Sequence, residues 1–490
     1  MKLRNSAAVL LALLTLAQVS CGSDTSAAPE TDTAADTTAA ATETADPLPD
    51  NLPERDFGGE TFVILSRDDL DHRQEAFAEE ENGEPVNDAV FQRNRTVSER
   101  FNINFDYVWA TEADEYTLTD MVEEAVTAGS EDYHIAIPQT TYGGFCAPDG
   151  YFYNWHDIPY INLNQPWWNA DSAERLTIDG KLHLLIGDYL TTQLDYTWGM
   201  IFNKQMVENY DLESPYDLVK SGKWTLDTFC EYIKGVSGDI DGDGKMTEAD
   251  RWGFVTHSDS AIGTWTYAMD LSVAEYDEEG YPIITINNEK TIDVVNRLYT
   301  LIYESETTLY NHWGVFEQDP KITTLFEQGN ALIAAAKFNS ITKLRNMDAD
   351  FGIIPYPKYD EAQEKYYTQV DLHAGVLAVP SNVSDPERTG IIMEALCAES
   401  HKHVIPAFYD ITLKTKGARD NDSAEMLDLI LDGRYTTFVS AYEGWEGVQW
   451  FTINCLKNSS NNFVSHYERN IKKSELRYQK IFEAYQNMEQ

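Results

Sequence analysis

Between residues 58 and 138, short apolar runs of strand composition alternate with segments of helical period, and this alternation limits the fold more than any other feature of the chain. Glu60 to Ser66 (ETFVILS) is a β-branched run behind Gly58-Gly59 and predicts a strand. Val86 to Phe101 sets Val86, Ala89, Val90, Val97 and Phe101 near one helical face and leaves Arg93, Arg95 and Arg100 elsewhere. Ile103 to Trp109 alternates as a second strand. Leu118 to Ala128 is helical with Thr117 placed to cap it, and Tyr133 to Pro138 (YHIAIP) is a third strand. Strand, helix, strand, helix, strand implies a parallel sheet with right-handed crossovers, hence an α/β fold. Ligands of such sheets sit beyond the carboxyl ends of the strands, which points to the loop after Pro138.

The chain is 490 residues long, enough for two or three domains. Its 82 acidic side chains outnumber 36 basic ones, giving a formal net charge of −46. That balance repels phosphate backbones and anionic headgroups, so it excludes nucleic-acid binding and membrane binding by charge. An aromatic content of 12% argues against wholesale disorder. A soluble globular protein in a saline or extracellular setting fits these numbers.

Residues 1–20 stand apart from the fold. Lys2 and Arg4 precede a nearly unbroken apolar stretch, Ala7 to Ala17, too short to span a bilayer and ending in small residues before Cys21. This resembles a bacterial lipoprotein signal, in which the cysteine is lipidated after cleavage, although Gln18 stands where an aliphatic residue is usual. An ordinary cleaved signal with a chance cysteine is the alternative. Gly22 to Glu54 contains no Lys or Arg and has almost nothing to bury, so 21–56 reads as an acidic, extended tether. The resemblance implies a protein lipid-anchored at the extracellular face of a bacterial cell membrane, with the anchor as its only membrane contact. Cys146, Cys230, Cys397 and Cys455 are far apart, form no metal framework and read as buried small hydrophobes.

A second resemblance covers residues 57 to about 410. Glu81 to Ile103 resembles the first helix of bacterial extracellular solute-binding proteins of the ABC-importer type, the group with the maltose and oligosaccharide receptors. RLTIDGKLHLLIGD followed by MIFNK (Arg175 to Lys204) is similar to that group's hairpin and cleft-lining strand. SPYDLVKSGKWTLDTFCEYIKG (Ser214 to Gly235) resembles its next helix, with Thr225 as N-cap before Leu226, Phe229 and Ile233. FEQGNALIAAAKF (Phe326 to Phe338) and FGIIPYPKYD (Phe351 to Asp360) resemble the strands that follow. The last stretch of the chain matches only as helices. The resemblance implies a two-lobed periplasmic-binding-protein-like fold of type II, each lobe a sheet flanked by helices, with a hinge between them. Lobe one is expected at 57–187 plus 355–403 and lobe two at 188–354 plus 404–490. It also implies a monomer that captures a solute in the interlobe cleft and delivers it to an ABC permease.

Residues 239–250 read D-I-D-G-D-G-K-M-T-E-A-D. Asp239, Asp241, Asp243 and Asp250 occupy positions 1, 3, 5 and 12 of a twelve-residue loop, with Gly244 at position 6. Thr247 stands at position 9, and Lys245 at position 7 offers its backbone carbonyl. Calcium takes six to eight hard oxygen ligands around a turn that glycine makes easily, so the loop predicts a structural calcium site between two helices of lobe two. A solvated acidic turn is the plainer alternative.

Sugar rings stack their C–H faces on Trp and Tyr while flanking polar groups bind the hydroxyls. The candidates for the cleft are Thr140 and Tyr142 after the third strand, and Asp195, Tyr196 and Trp198 past the crossing. Phe338 at a strand end, Trp265 and Tyr267 after the calcium loop, and Trp445 and Trp450 near the terminus complete the set. A Trp is more often packing than platform, and Trp109, Trp224, Trp252 and the pair Trp167-Trp168 read as packing. No G-x-S-x-G, HExxH, P-loop or GxGxxG motif occurs, so no catalytic residue is assigned. The preferred function is a carbohydrate receptor. The same fold binding a peptide, phosphorylated compound or polyamine, and a surface glycan-adhesive or glycan-degrading protein, are the alternatives.

Overall fold

The structure is a computed structural model that describes residues 48–111, 115–257, 260–278, 280–311, 320–341, 344, 350–409, 421–443 and 447–488. The signal segment, Cys21, most of the acidic tether and Trp445 lie outside the described residues.

The first sheet uses β1 (Glu60–Arg67), β2 (Ile103–Ala110) and β3 (Ile135–Ala136) in the order β2-β1-β3, both pairings parallel. The crossover from β1 to β2 runs through α1 (Leu70–Ala76) and α2 (Pro85–Phe101), and α3 (Thr117–Ala128) leads to β3. Phe62, Ile64 and Leu65 of β1 bury against Val97 and Phe101 of α2 and Leu118 and Val122 of α3 in one core. The expected alternation is present, with three corrections. Arg93 lies on the buried face of α2: its guanidinium donates to the carbonyls of Glu75 and Ala76 at 2.8 and 3.2 Å and sits 4.3 Å from the Tyr189 ring centroid. The unsatisfied carbonyls ending α1 therefore draw a charge into the core. Thr117 is the first helical residue of α3 and not its cap; the N-cap position is Tyr116, with no side-chain bond. The third strand is shorter than expected at both ends, and Pro138, which has no N–H, closes it on the carboxyl side.

The second sheet is mixed. Its strands are β4 (Trp198–Asn203), β5 (Trp252–His257), β8 (Thr308–Asn311), β9 (Ala331–Lys337) and β10 (Phe351–Ile354), ordered β10-β4-β9-β5-β8. A small hairpin, β6 (Ala274–Tyr276) and β7 (Pro282–Ile284), stands apart. β4 is antiparallel to both its neighbours, while β5 is parallel to β9 and β8. Every residue of β4 is buried, which is why it reads as an unbroken apolar run. Helix Leu226–Lys234 covers β5, with the Thr225 side chain accepting from the Thr228 N–H at 3.3 Å as its cap. Gly253 permits that contact, since a Cβ there would lie 2.3 Å from the Ile233 carbonyl oxygen.

The chain passes between the sheets in two segments held side by side by an antiparallel bridge from Thr197 to Val370. Beyond it, residues 375–380 return to the first sheet through bridges from Ala378 to Ala136 and Leu377 to Leu185. The C-terminal helices are part of the fold. Helix Phe438–Glu443 packs on α4 (Thr140–Cys146), where a Cβ on Gly144 would lie 2.0 Å from the Ala441 carbonyl oxygen. All four cysteines after Cys21 are free thiols; Cys230 is half-buried rather than buried. No helix among the described residues is long and apolar enough to cross a membrane.

Candidate functional site

The carboxyl end of β1 turns into α1 through Arg67-Asp68-Asp69. Asp69 caps α1, accepting from the His72 N–H at 3.1 Å and pairing with His72 Nδ1 at 2.8 Å. Burial works against the ionised Asp69, but the hydrogen bond and charge of His72 outweigh it and hold the carboxyl down at about 2. Asp71 follows in the first turn. There it receives the Tyr196 hydroxyl at 3.0 Å and the Asn339 amide at 3.4 Å, so the end of β1 meets residues flanking β4 and β9 of the other sheet.

Lys337, the last residue of β9, organises the rest. Its ammonium lies 5.0 Å from the Tyr196 ring centroid, 5.7 Å from that of Trp198 and 4.0 Å from Asp371 Oδ2. Asp371 also pairs with His373 Nδ1 at 2.6 Å. Burial opposes its charge, yet Lys337 and then His373 prevail and keep the carboxyl well below the usual range. The Trp198 ring is further covered by His257, at 5.2 Å between centroids. Several buried polar atoms around these strand ends have no hydrogen-bond partner among the described residues: Trp198 Nε1, both amide atoms of Gln369, Ser66 Oγ, Gln139 Oε1 and Thr141 Oγ1. Such groups are costly to leave unpaired.

Of the residues expected at a cleft, Tyr196 and Trp198 are brought together here. Thr140 and Tyr142 are buried on α4; the Thr140 hydroxyl donates to the Ala374 carbonyl at 2.9 Å, and Tyr142 packs on Tyr116 and Phe145 and bonds Glu115. Asp195 ends the short helix Thr192–Asp195, half-buried. Trp450 is buried beside Gln369, the two flanking Gly263. Trp265 is a correction: it sits in the core among Phe229, Phe254 and Tyr356, at 5.5, 6.3 and 5.3 Å. Phe338 is wholly buried, and its neighbours in the second sheet's cluster are apolar rather than polar. Tyr267 is likewise buried, its hydroxyl donating to Gln449 at 3.2 Å. Asp71, Lys337, Asn339, Gln369, Asp371 and His373 were not singled out from sequence. The one available signal was position, since Lys337 directly precedes Phe338 at a strand end.

In the acidic loop, carboxylate oxygens of Asp239, Asp241 and Asp243 lie within 4.8 Å of one another. Gly242 and Gly244 take φ of +77° and +81°, the left-handed turn expected of glycine here. Asp250 stands outside the trio: its Oδ1 accepts from Ile240 N–H at 2.9 Å and its Oδ2 from Thr247 N–H at 2.7 Å, and the Thr247 hydroxyl also turns to it. The loop lies between helix Leu226–Lys234 and β5, a helix and a strand rather than two helices.

No family model matches the chain, and neither does any curated protein sequence. Solved structures do. An ABC substrate-binding protein from Listeria monocytogenes in complex with cycloalternan superimposes with a TM-score of 0.54 at 12% identity, over 85% of this chain and 99% of the other. The chain therefore has a periplasmic-binding-protein fold. A cyclo/maltodextrin-binding protein complexed with maltotetraose gives 0.54 at 14%, over 91% of this chain and 100% of the other. UgpB from Mycobacterium tuberculosis in complex with glycerophosphocholine gives 0.55 at 13%, over 86% and 98%. Within this two-lobed fold, the Tyr196–Trp198–Lys337 cluster lies where strand ends of both sheets converge.

Proposed function

We propose that the protein is a cell-surface receptor that captures a carbohydrate, most simply an oligosaccharide, between its lobes and hands it to an ABC permease. The observation that carries this reading is the meeting of Asp71, from the first sheet's side, with Tyr196 and Asn339 from the second, beside the Trp198 ring and buried polar groups that have no hydrogen-bond partner among the described residues. Aromatic faces framed by hydrogen-bonding groups are the chemistry of sugar recognition. Sugar-bound neighbours of the same fold support it. The protein acts as a monomeric binding module and not as an enzyme.

Cys21 carries the lipid that holds it to the outer face of the membrane, through the acidic tether. Asp239, Asp241 and Asp243 would supply carboxylates, and Lys245 a backbone carbonyl, to a structural calcium; Thr247 and Asp250 brace the loop or join the ion after a small rearrangement. Thermal unfolding of the protein against a panel of oligosaccharides, peptides and polyamines tests the function. A ligand at about 100 times its Kd stabilises the fold by about 2.7 kcal/mol. A hit among the sugars sustains the reading, and hits only among peptides or amines replace the substrate class.

A further inference from the structure

The paired segments that link the sheets have a second side. Side chains alternate along extended chain. Asp371 reaches Lys337 on one side, while its neighbour Val370 lines a cavity of about 330 Å³ on the other. One wall of this cavity comes from residues tied to the first sheet, since Trp168 bridges to Gly187 and Leu185 to Leu377. The lining also carries Arg434 and Tyr435, and Arg434 bridges to Thr368, whose hydroxyl donates to the Trp198 carbonyl at 2.6 Å.

The lining is built rather than incidental. Asp188 is fixed by His401 Nδ1 at 2.6 Å, on a π-helical turn (Ser400–Val404) that interrupts the helical run. Arg434 is fixed by bonds of 3.1 Å to the carbonyls of Gln193 and Leu431. Ser172 is 1% exposed, lines the cavity, and its hydroxyl has no hydrogen-bond partner among the described residues. Asp188 and Arg434 offset each other, and Asp171, also in the lining, is paired with Arg175 at 3.0 Å, so the cavity does not select a charged solute. A hydroxyl, a carboxylate, a guanidinium and two aromatic rings suit a ring bearing hydroxyls. The volume lies at the lower end of the ~300–1,000 Å³ of ligand sites, room for one ring and not a chain.

We propose that this cavity is a second solute site, specific for a single neutral polyol such as a monosaccharide, and that it shares the 369–371 wall with the interlobe cleft. This goes beyond capture in the cleft and stands or falls separately from it.

Calorimetric titration of the full protein with glucose, galactose and myo-inositol tests the proposal in the wild type and in Trp198→Phe, Asp188→Asn and Ser172→Leu. Saturable binding of at least one of the three is expected in the wild type and in Trp198→Phe. Asp188→Asn weakens it by at least about tenfold, the effect of losing a hydrogen bond to a charged group. Ser172→Leu fills the space and abolishes it; should that variant fail to fold, Asp188→Asn carries the test. Absence of saturation with all three at tens of millimolar overturns the proposal. So does binding that Trp198→Phe removes and Asp188→Asn leaves intact, which would place the monosaccharide in the cleft.

Discussion

Trp198 and Trp265 are both buried and both hold an indole N–H without a hydrogen-bond partner among the described residues, yet their surroundings differ in kind. Around Trp265 there are aromatic rings at edge-to-face angles from a helix, a strand and a loop packed at the second sheet. Around Trp198 there are a lysine, an imidazole and the unpartnered amide of Gln369, at strand ends that the other sheet also reaches. Burial alone therefore does not separate scaffold from site; the polarity of the neighbours does. One region is a packed core, where removing a ring leaves a cavity. The other concentrates charge and hydrogen-bonding capacity at an interlobe contact, where removing a group should change recognition more than stability.

The largest effect that would sharpen this contrast is on stability. Trp265→Ala should cost about 3–5 kcal/mol in denaturant unfolding, while the folded fraction keeps its ligand affinity. A loss of affinity without a loss of stability would break the comparison.

Acid titration comes next. The Asp69 carboxyl is depressed to about 2 in the folded state against about 3.9 unfolded. Its contribution, about 2–3 kcal/mol, is therefore present above pH ~4 and lost as pH falls toward 2. Asp69→Asn should be less stable at neutral pH and show a flatter decline across that window, followed by urea unfolding at a series of pH values. An unchanged profile would mean that the Asp69–His72 pair does not anchor α1.

Smaller still, Lys337→Met should weaken solute binding by about tenfold, or about 1.4 kcal/mol, through loss of the charge that orders Tyr196, Trp198 and Asp371. Calorimetry reads the affinity, and thermal unfolding should shift little. Tyr196→Phe removes only the hydroxyl bond to Asp71 and should cost about 1 kcal/mol, seen as a reduced ligand-induced stabilisation.

The first sheet was legible because its strands and helices keep clean periods, and the Thr225 cap and the glycines of the acidic loop were legible because their backbone roles are local. Arg93 was not, since a periodicity reading sends every charge to water, and only the folded chain shows the carbonyl groups that hold it inside. The candidate cluster was half legible. Tyr196 and Trp198 stand out as aromatics at a crossing, but Lys337, Asp371 and Asp71 become a cluster only when three distant segments meet. Trp265 was misassigned for the same reason: sequence shows an aromatic near the cleft segments and not which face of its helix meets the core.

The most direct test of the strand-end cluster as the solute site is ligand-induced thermal stabilisation by the oligosaccharide panel, compared between Trp198→Phe and Trp265→Phe. Both changes keep an aromatic ring of smaller size, so both folds should persist. The account predicts that the stabilising sugar shifts the unfolding of Trp265→Phe as it does the wild type and fails to shift Trp198→Phe. Equal shifts in the two variants, or loss only in Trp265→Phe, would contradict it.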